Sequence, residues 1–402
     1  MSCGDAVGLP AARAAGALLL RLRGWGLGAL GPLSAAAAGP LAAFRASKQL
    51  ADAARLGGLL YIQSWRTGAL DAFFVATSFL GNADFYLLVL PTMLWQGAPR
   101  IGRQTTYMVT SSLVLGNTMK DLVALPRPPS PPVWRPASGA ALDSSAFADF
   151  GWPSTHAMNA VSNPLLIACA LAPFWRRSPR RRWAVAALSV TWAATISVGR
   201  LYLGAHSRSD VFAGHLLGLA VGCGWVLAAP WFDATVTGEG HQGGLLVGGA
   251  MALSAGLFTL YPRRAIAGAS APQSAELIGL FLGCMVGSRQ DARRRRRRGV
   301  VADAAADGAA GHWARRCHPG WVAAAREALG FALALSCRAL ASALSTRLVG
   351  GLRLRGPAAE GVGVLLRKLL TYFTIAWSMT GGAPPLFRAL RIEAKERLFG
   401  EQ

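Results

Sequence analysis

The chain has 402 residues, room for two soluble domains by length, but 53% are hydrophobic, only 15% are charged, and mean hydropathy is +0.36. Its 41 Lys and Arg against 19 Asp and Glu give a net charge of +22, gathered in clusters such as Arg176–Arg182 and Arg289–Arg298. Those clusters flank apolar runs and are not interleaved with aromatics. The pattern excludes an ordinary soluble enzyme, argues against nucleic-acid binding and describes a polytopic membrane protein.

Residues 1–60 form an N-terminal extension that is expected to be poorly ordered. Its first 50 residues are rich in Ala, Gly and Arg, with Asp5 the one acidic residue. They read either as an organelle-targeting extension or as a low-complexity tail carrying an amphipathic helix. Apolar runs follow near 73–97, 105–122, 157–175, 183–204, 210–231, 244–261, 273–288, 322–346 and 361–383. Several approach the roughly 20 residues that a helix needs to cross a bilayer. The expected architecture is an all-α bundle of about nine spans. A membrane-embedded core occupies 61–235 in the first five, and further helices occupy 236–402. Asp84 and Pro91 interrupt the first span. The Arg-rich and then Ala/Gly/Asp-rich stretch at 289–319 reads as a disordered loop.

Charge also orients the spans. The Arg176–Arg182 loop belongs on the cytoplasmic side, and alternate counting puts Arg100–Arg103 and Arg293–Arg298 there too. The same count sends the 123–156 loop and the 205–209 turn to the opposite face. The six cysteines, Cys3, Cys169, Cys223, Cys284, Cys317 and Cys337, show no metal-ligand spacing and read as small hydrophobes.

Three motifs meet on that opposite face: Lys120-x6-Arg127-Pro128, then Pro153-Ser154-Thr155-His156, then Arg200-x5-His206-x3-Asp210. Ionisable groups near a membrane are expensive to place and are functional candidates by default. Hydrolysing a phosphate ester requires a nucleophile, an acid for the leaving oxygen and positive charge around the equatorial oxygens. His206 fits the nucleophile and His156 the general acid. Asp210, one turn along, is expected to accept the second N–H of the His206 ring. Lys120, Arg127 and Arg200 fit a cationic cage. The Ser154 hydroxyl and the N–H groups of Thr155 and His156 fit an anion site at a helix N-terminus. No carboxylate cluster calls for a metal, and no cofactor is expected.

Taken singly, each piece has a plainer account. Pro126–Pro136 can be a polyproline spacer, Lys120 and Arg127 snorkelling residues, Pro153–Thr155 a helix cap, and His206 with Asp210 a routine i,i+4 pair. Those accounts do not predict a base, an acid and three cations converging on one face. His215, in an apolar run, reads as a packed and hydrogen-bonded histidine. His241, His312 and His318 carry no spacing signal.

At these residues the chain resembles the type 2 phosphatidic acid phosphatase superfamily, whose signature is K-x6-R-P, P-S-G-H and S-R-x5-H-x3-D. It departs at Thr155, where the family has Gly, and at Gly199, where it has Ser. P-S-T-H resembles the branch of sphingosine 1-phosphate and long-chain-base phosphate phosphatases, as do Lys120-Asp121, Ser130-Pro131-Pro132, Pro153–Met158 and Leu70–Trp95. The resemblance covers roughly residues 60–235 well. It implies a phosphorylated sphingoid base as substrate and a multi-pass location in the endoplasmic reticulum membrane with the site facing the lumen. A broader lipid phosphatase, acting on phosphatidate or polyprenyl diphosphate, uses the same residues. A non-catalytic membrane protein is the reading from another class, against which intact His156, His206 and Asp210 argue. The pattern carries no signal for oligomeric state.

Overall fold

The structure is a computed structural model that describes residues 31–136, 150–176, 178–260, 270–297, 320–351 and 357–393. Among the described residues there are helices and turns and no strand. In chain order the helices are α1 Gly31–Ala54, α2 Leu56–Gln63, α3 Gly68–Ser78, α4 Ala83–Trp95, α5 Pro99–Val123, α6 Thr155–Ala170 and the short α7 Ala172–Trp175. They continue with α8 Pro179–Tyr202, α9 Arg208–Thr237, α10 Gln242–Leu260, α11 Ser270–Arg297, α12 Gly320–Gly351, α13 Pro357–Trp377 and α14 Ala383–Ala389. Three of them, α8, α9 and α12, are long and apolar enough to cross a membrane, and the bent pair α3 and α4 makes up to four. The all-helical membrane architecture stands on these helices, without a count of nine.

Two sequence expectations are corrected. Part of the N-terminal extension is ordered helix: α1 and α2 pack on the core, while residues 1–30 lie outside the described residues. The stretch expected to open a disordered loop continues α11 as far as Arg297, and 298–319 lie outside the described residues. The reason is that the arginines have carbonyls and carboxylates to bind. Arg289 caps the end of α9 through Val236 and Gly240, Arg294 reaches Gly381, and Arg295 pairs with Asp291 and Glu393. The interruption in the first span falls at Phe79–Asn82, and Pro91 is accommodated inside α4.

Helix ends follow local chemistry. Ser154, Ser178 and Ser207 are N-caps of α6, α8 and α9, and Pro179 occupies the first turn of α8. α5 stops at Ala124, which is left-handed at φ 49°, before Pro126.

The close pairing of α6 and α9 sets the site. Gly214, Gly218 and Gly222 recur every fourth residue on α9, facing Ser154, Met158 and Ser162 of α6. A Cβ at Gly214 would stand 2.5 Å from the Ser154 carbonyl oxygen, so only glycine lets the two backbones touch. At the far end of α9, Arg103 of α5 forks onto Asp233 at 2.7 and 2.8 Å. The Arg103 and Arg289–Arg297 arginines thus gather at one end of the bundle, and the three motifs at the other.

Candidate active site

Lys120 lies in the last turn of α5 and is buried. Arg127 follows in the proline-rich loop, which is pinned rather than acting as a spacer. Gln63 of α2 donates to the Trp134 and Tyr202 carbonyls and accepts from the Trp134 N–H, at 2.8 to 2.9 Å. Arg66 stacks 3.3 Å over the Trp134 ring, and Arg135 donates to the Pro128 and Gly204 carbonyls. Gly204 has φ +66°, and a side chain there would strike the Trp134 carbonyl, so this turn needs glycine.

His206 sits in that turn, 1% exposed. Its Nδ1 meets the Gly151 carbonyl at 2.8 Å, which makes Nδ1 the protonated nitrogen and leaves Nε2 as the acceptor. Nε2 faces the Arg127 guanidinium at 3.3 Å, and the same Arg127 nitrogen donates to the Ala205 carbonyl at 2.7 Å. Burial, then the charges of Arg127, Arg200 and Lys120, hold the His206 imidazole well below the ordinary histidine range, against the pull of the Gly151 carbonyl. The ring is therefore neutral at physiological pH, as a nitrogen nucleophile must be.

Asp210 corrects the sequence expectation. Its Oδ2 is 3.8 Å from His206 Nδ1 and instead accepts the Ser207 N–H at 2.8 Å, while Oδ1 meets Lys48 Nζ at 2.7 Å. The reason is local: α9 begins at Arg208, so His206 lies outside the helix and the i,i+4 stacking of a helix face does not apply. Asp210 is the third residue of the helix and closes a capping box with Ser207. The carbonyl of Gly151 takes the role assigned to the carboxylate.

Lys120, Arg127 and Arg200 lie close enough to both histidines to act on them electrostatically. Ser154 caps α6 by accepting the Ala157 N–H, which leaves its own hydrogen to donate, and its N–H binds the Asp210 carbonyl. Thr155 and His156 open α6, so their N–H groups lie at the helix start, where backbone donors have no acceptor within the helix. The Thr155 methyl packs on Gly116 of α5, so the threonine in place of the family's glycine fills a helix contact. His156 Nε2 pairs with Asn82 Oδ1 at 2.9 Å, and burial, then the charges of Arg200, Lys120 and Arg127, hold this ring too below the ordinary histidine range. Arg200, 3% exposed, donates to Ser78 Oγ at 2.6 Å. A side chain at Gly199 would meet the Phe74 ring, so that position is filled from α3. His215 is hydrogen-bonded to Ser197 at 2.7 Å, in keeping with a packed histidine.

Sequence reasoning assigned no role to Gly151, Ser78, Asn82 or Lys48. Ser78 and Asn82 lie inside the Leu70–Trp95 stretch whose resemblance was visible, but spacing alone gave them no partner. Gly151 carries a direct test. A Cβ there would stand 3.2 Å from both Arg127 Cα and Asp210 Oδ2. Gly151→Ala is therefore expected to displace the carbonyl that holds His206 and to lower kcat by about 10²-fold with KM little changed, measured by steady-state kinetics. Among the described residues, no three of His, Cys, Asp and Glu gather as a metal site.

Residues 103–233 match the family model for the PAP2 superfamily. The chain carries a PAP2 superfamily domain. The chain is 33% identical to lipid phosphate phosphatase delta of Arabidopsis thaliana over 45% of its own length and 44% of that relative's. It is 34% identical to a dihydrosphingosine 1-phosphate phosphatase of Schizosaccharomyces pombe, over 40% of this chain and 39% of the relative. It is also 34% identical to sphingosine-1-phosphate phosphatase 1 of Mus musculus, over 34% and 30%. The chain thus spans less than half the length of these curated relatives. No solved structure matches. The motifs Lys120–Pro128, Pro153–His156 and Arg200–Asp210 all fall inside the matched residues, whereas Lys48, Ser78 and Asn82 reach them from outside.

Proposed function

We propose that this protein is a metal-independent lipid phosphate phosphohydrolase that dephosphorylates sphingosine 1-phosphate and related long-chain-base 1-phosphates through a phosphohistidine. The observation that carries the reading is the state of His206, with Nδ1 anchored on a carbonyl and Nε2 facing Arg127. Nε2 attacks phosphorus as the ester P–O bond breaks, and His156 gives its proton to the leaving alkoxide. Lys120, Arg127, Arg200, Ser154 and the α6 N-terminus hold the three phosphoryl oxygens. Asp210 stabilises the positive phosphoimidazole from 3.8 Å. Water then attacks phosphorus while His156 takes its proton. The P–N bond breaks, freeing inorganic phosphate and neutral His206.

The relatives' names favour a phosphorylated sphingoid base, whose tail can stay in lipid while the headgroup enters the cage. The plant relative is named only for lipid phosphate, which favours a broader lipid phosphatase as the second reading. Purified protein assayed on sphingosine 1-phosphate, phosphatidate and polyprenyl diphosphate separates the two. Preference for the first by kcat/KM is expected, and no phosphate release from any of the three sinks both readings. Because three side-chain cations meet the phosphoryl charge, turnover is expected to survive EDTA; loss restored by Mg²⁺ overturns the cage assignment.

We also place the protein in the endoplasmic reticulum membrane with the site facing the lumen. Moving the Arg289–Arg298 run across a bilayer costs about 2.5–3.5 kcal/mol per residue at the centre, so that end stays cytoplasmic. Glycosylation acceptors introduced within 137–148 should be modified and those within 300–312 should not. The inverse pattern puts the site in the cytosol.

A further inference from the structure

Lys48 lies on α1, more than fifty residues before the matched domain begins, yet it ends in the active site. Three contacts dock its helix. Arg45 donates to the Val123 and Leu122 carbonyls at the end of α5, at 2.6 and 3.0 Å. Phe44 sets its ring edge against Trp152, with centroids 5.4 Å apart, and Asp52 accepts from Ser209 Oγ at 2.6 Å. Between these anchors Lys48, its side chain 6% exposed, pairs with Asp52 on its own helix and with Asp210. Asp210 is 1% exposed in its side chain, and its two carboxylate oxygens divide between Lys48 and the Ser207 N–H.

We propose that Lys48 is a positioning residue for the phosphatase reaction, engaging the Asp210 carboxylate so that it does not draw a proton onto His206. The inference rests on the function proposed above. A buried carboxylate needs a counter-charge or hydrogen-bond donors. Lys48 supplies the charge from one side and leaves the His206 ring, 3.8 Å away on the other, with the Gly151 carbonyl as its acceptor. Remove the ammonium and the nearest group able to become positive is His206 itself. Asp210 then recruits a proton onto that ring and blocks the Nε2 lone pair. The other groups bearing on His206 are cations, Arg127 from the proline-rich loop, Arg200 from α8 and Lys120 from α5, together with His156 from α6. They oppose that proton, so the Lys48–Asp210 pair is what keeps the carboxylate from cancelling them.

The test compares Lys48→Met, Lys48→Arg and the double variant Lys48→Met/Asp210→Asn in detergent-solubilised full-length protein. In Lys48→Met the acid limb of the kcat/KM profile should rise by about 1–3 pH units, with activity returning at higher pH. Lys48→Arg should keep the wild-type limb. The double variant should bring the limb back down even though its maximal rate stays low. A merely structural lysine would lower yield or activity equally at every pH and leave the limb in place, and that outcome overturns the proposal. Lys48→Gln, which keeps a donor at nearly the same reach, replaces Lys48→Met should the latter not accumulate. A second readout does not depend on turnover. In ¹⁵N-histidine-labelled protein the His206 signal, assigned by its loss in His206→Gln, should titrate at higher pH in Lys48→Met than in wild type. If no lipid phosphate is hydrolysed, the functional reading fails while this titration still decides the role of Lys48; an unchanged titration refutes it.

Discussion

His206→Ala should lose at least about 10⁴-fold in turnover and form no phosphoenzyme, because the other imidazole in the site, His156, already has its Nε2 paired with Asn82 Oδ1. His156→Ala should behave differently. It should still accept phosphoryl from a substrate with a good leaving group, since the proton that His156 supplies is then not needed. Rapid-quench trapping with ³²P-labelled substrate separates the two, and label retained by the His206→Ala protein would falsify the nucleophile assignment. A pH consequence accompanies this. The competent form of His206 is neutral, and burial with three cations depresses its affinity for a proton. On the proposed assignment His206 stays competent below the ordinary histidine range, and kcat/KM should fall only as pH drops through the depressed value. A limb at or above pH 6.5 would contradict the cage.

Arg127→Ala should cost about 10²–10³-fold in kcat/KM, the range found when one preorganised donor to a developing charge is removed. Arg127→Lys should recover little of it. One guanidinium nitrogen reaches both the Ala205 carbonyl at 2.7 Å and His206 Nε2 at 3.3 Å, so the residue fixes the turn that carries His206. A lysine ammonium is a single compact charge and cannot hold the carbonyl and fork onto two phosphoryl oxygens at once. Kinetics of both variants, with kcat and KM resolved, checks this. Full rescue by lysine would mean that Arg127 acts only as a diffuse charge.

The site was legible in the sequence as far as residue types and short spacings reach. Lys120, Arg127, Ser154, His156, Arg200, His206 and Asp210 were each readable, because a phosphoryl group demands cations and proton carriers and the apolar background made them conspicuous. What each side chain bonds to was less legible. The Asp210 carboxylate looked like the His206 acceptor because four residues separate them, but the helix starts two residues after His206 and the carboxylate caps it. A main-chain acceptor such as Gly151 leaves no side-chain signature at all. Lys48 was hidden for another reason: it sits in an Ala-rich stretch with no motif, and only the docking of α1 by Arg45 and Phe44 brings it near Asp210. The Arg289–Arg297 helix was misread because arginine-rich sequence looks solvated until carbonyl and carboxylate partners are placed beside it.

The contact of α6 with α9 through Gly214, Gly218 and Gly222 separates two properties that many enzymes couple. Backbone against backbone over two turns leaves no side-chain cushion that can yield. The spacing between the segment ending in His156 and the turn bearing His206 is thus fixed by main chain rather than by packing. Side chains away from this contact can then change without moving the two backbones apart. The same rigidity makes the scaffold brittle in one direction. A single methyl group on that glycine row would press α6 away from α9, so tolerance to mutation should drop sharply on this face of α9 and recover on its exposed side at Phe212, Leu216 and Leu219.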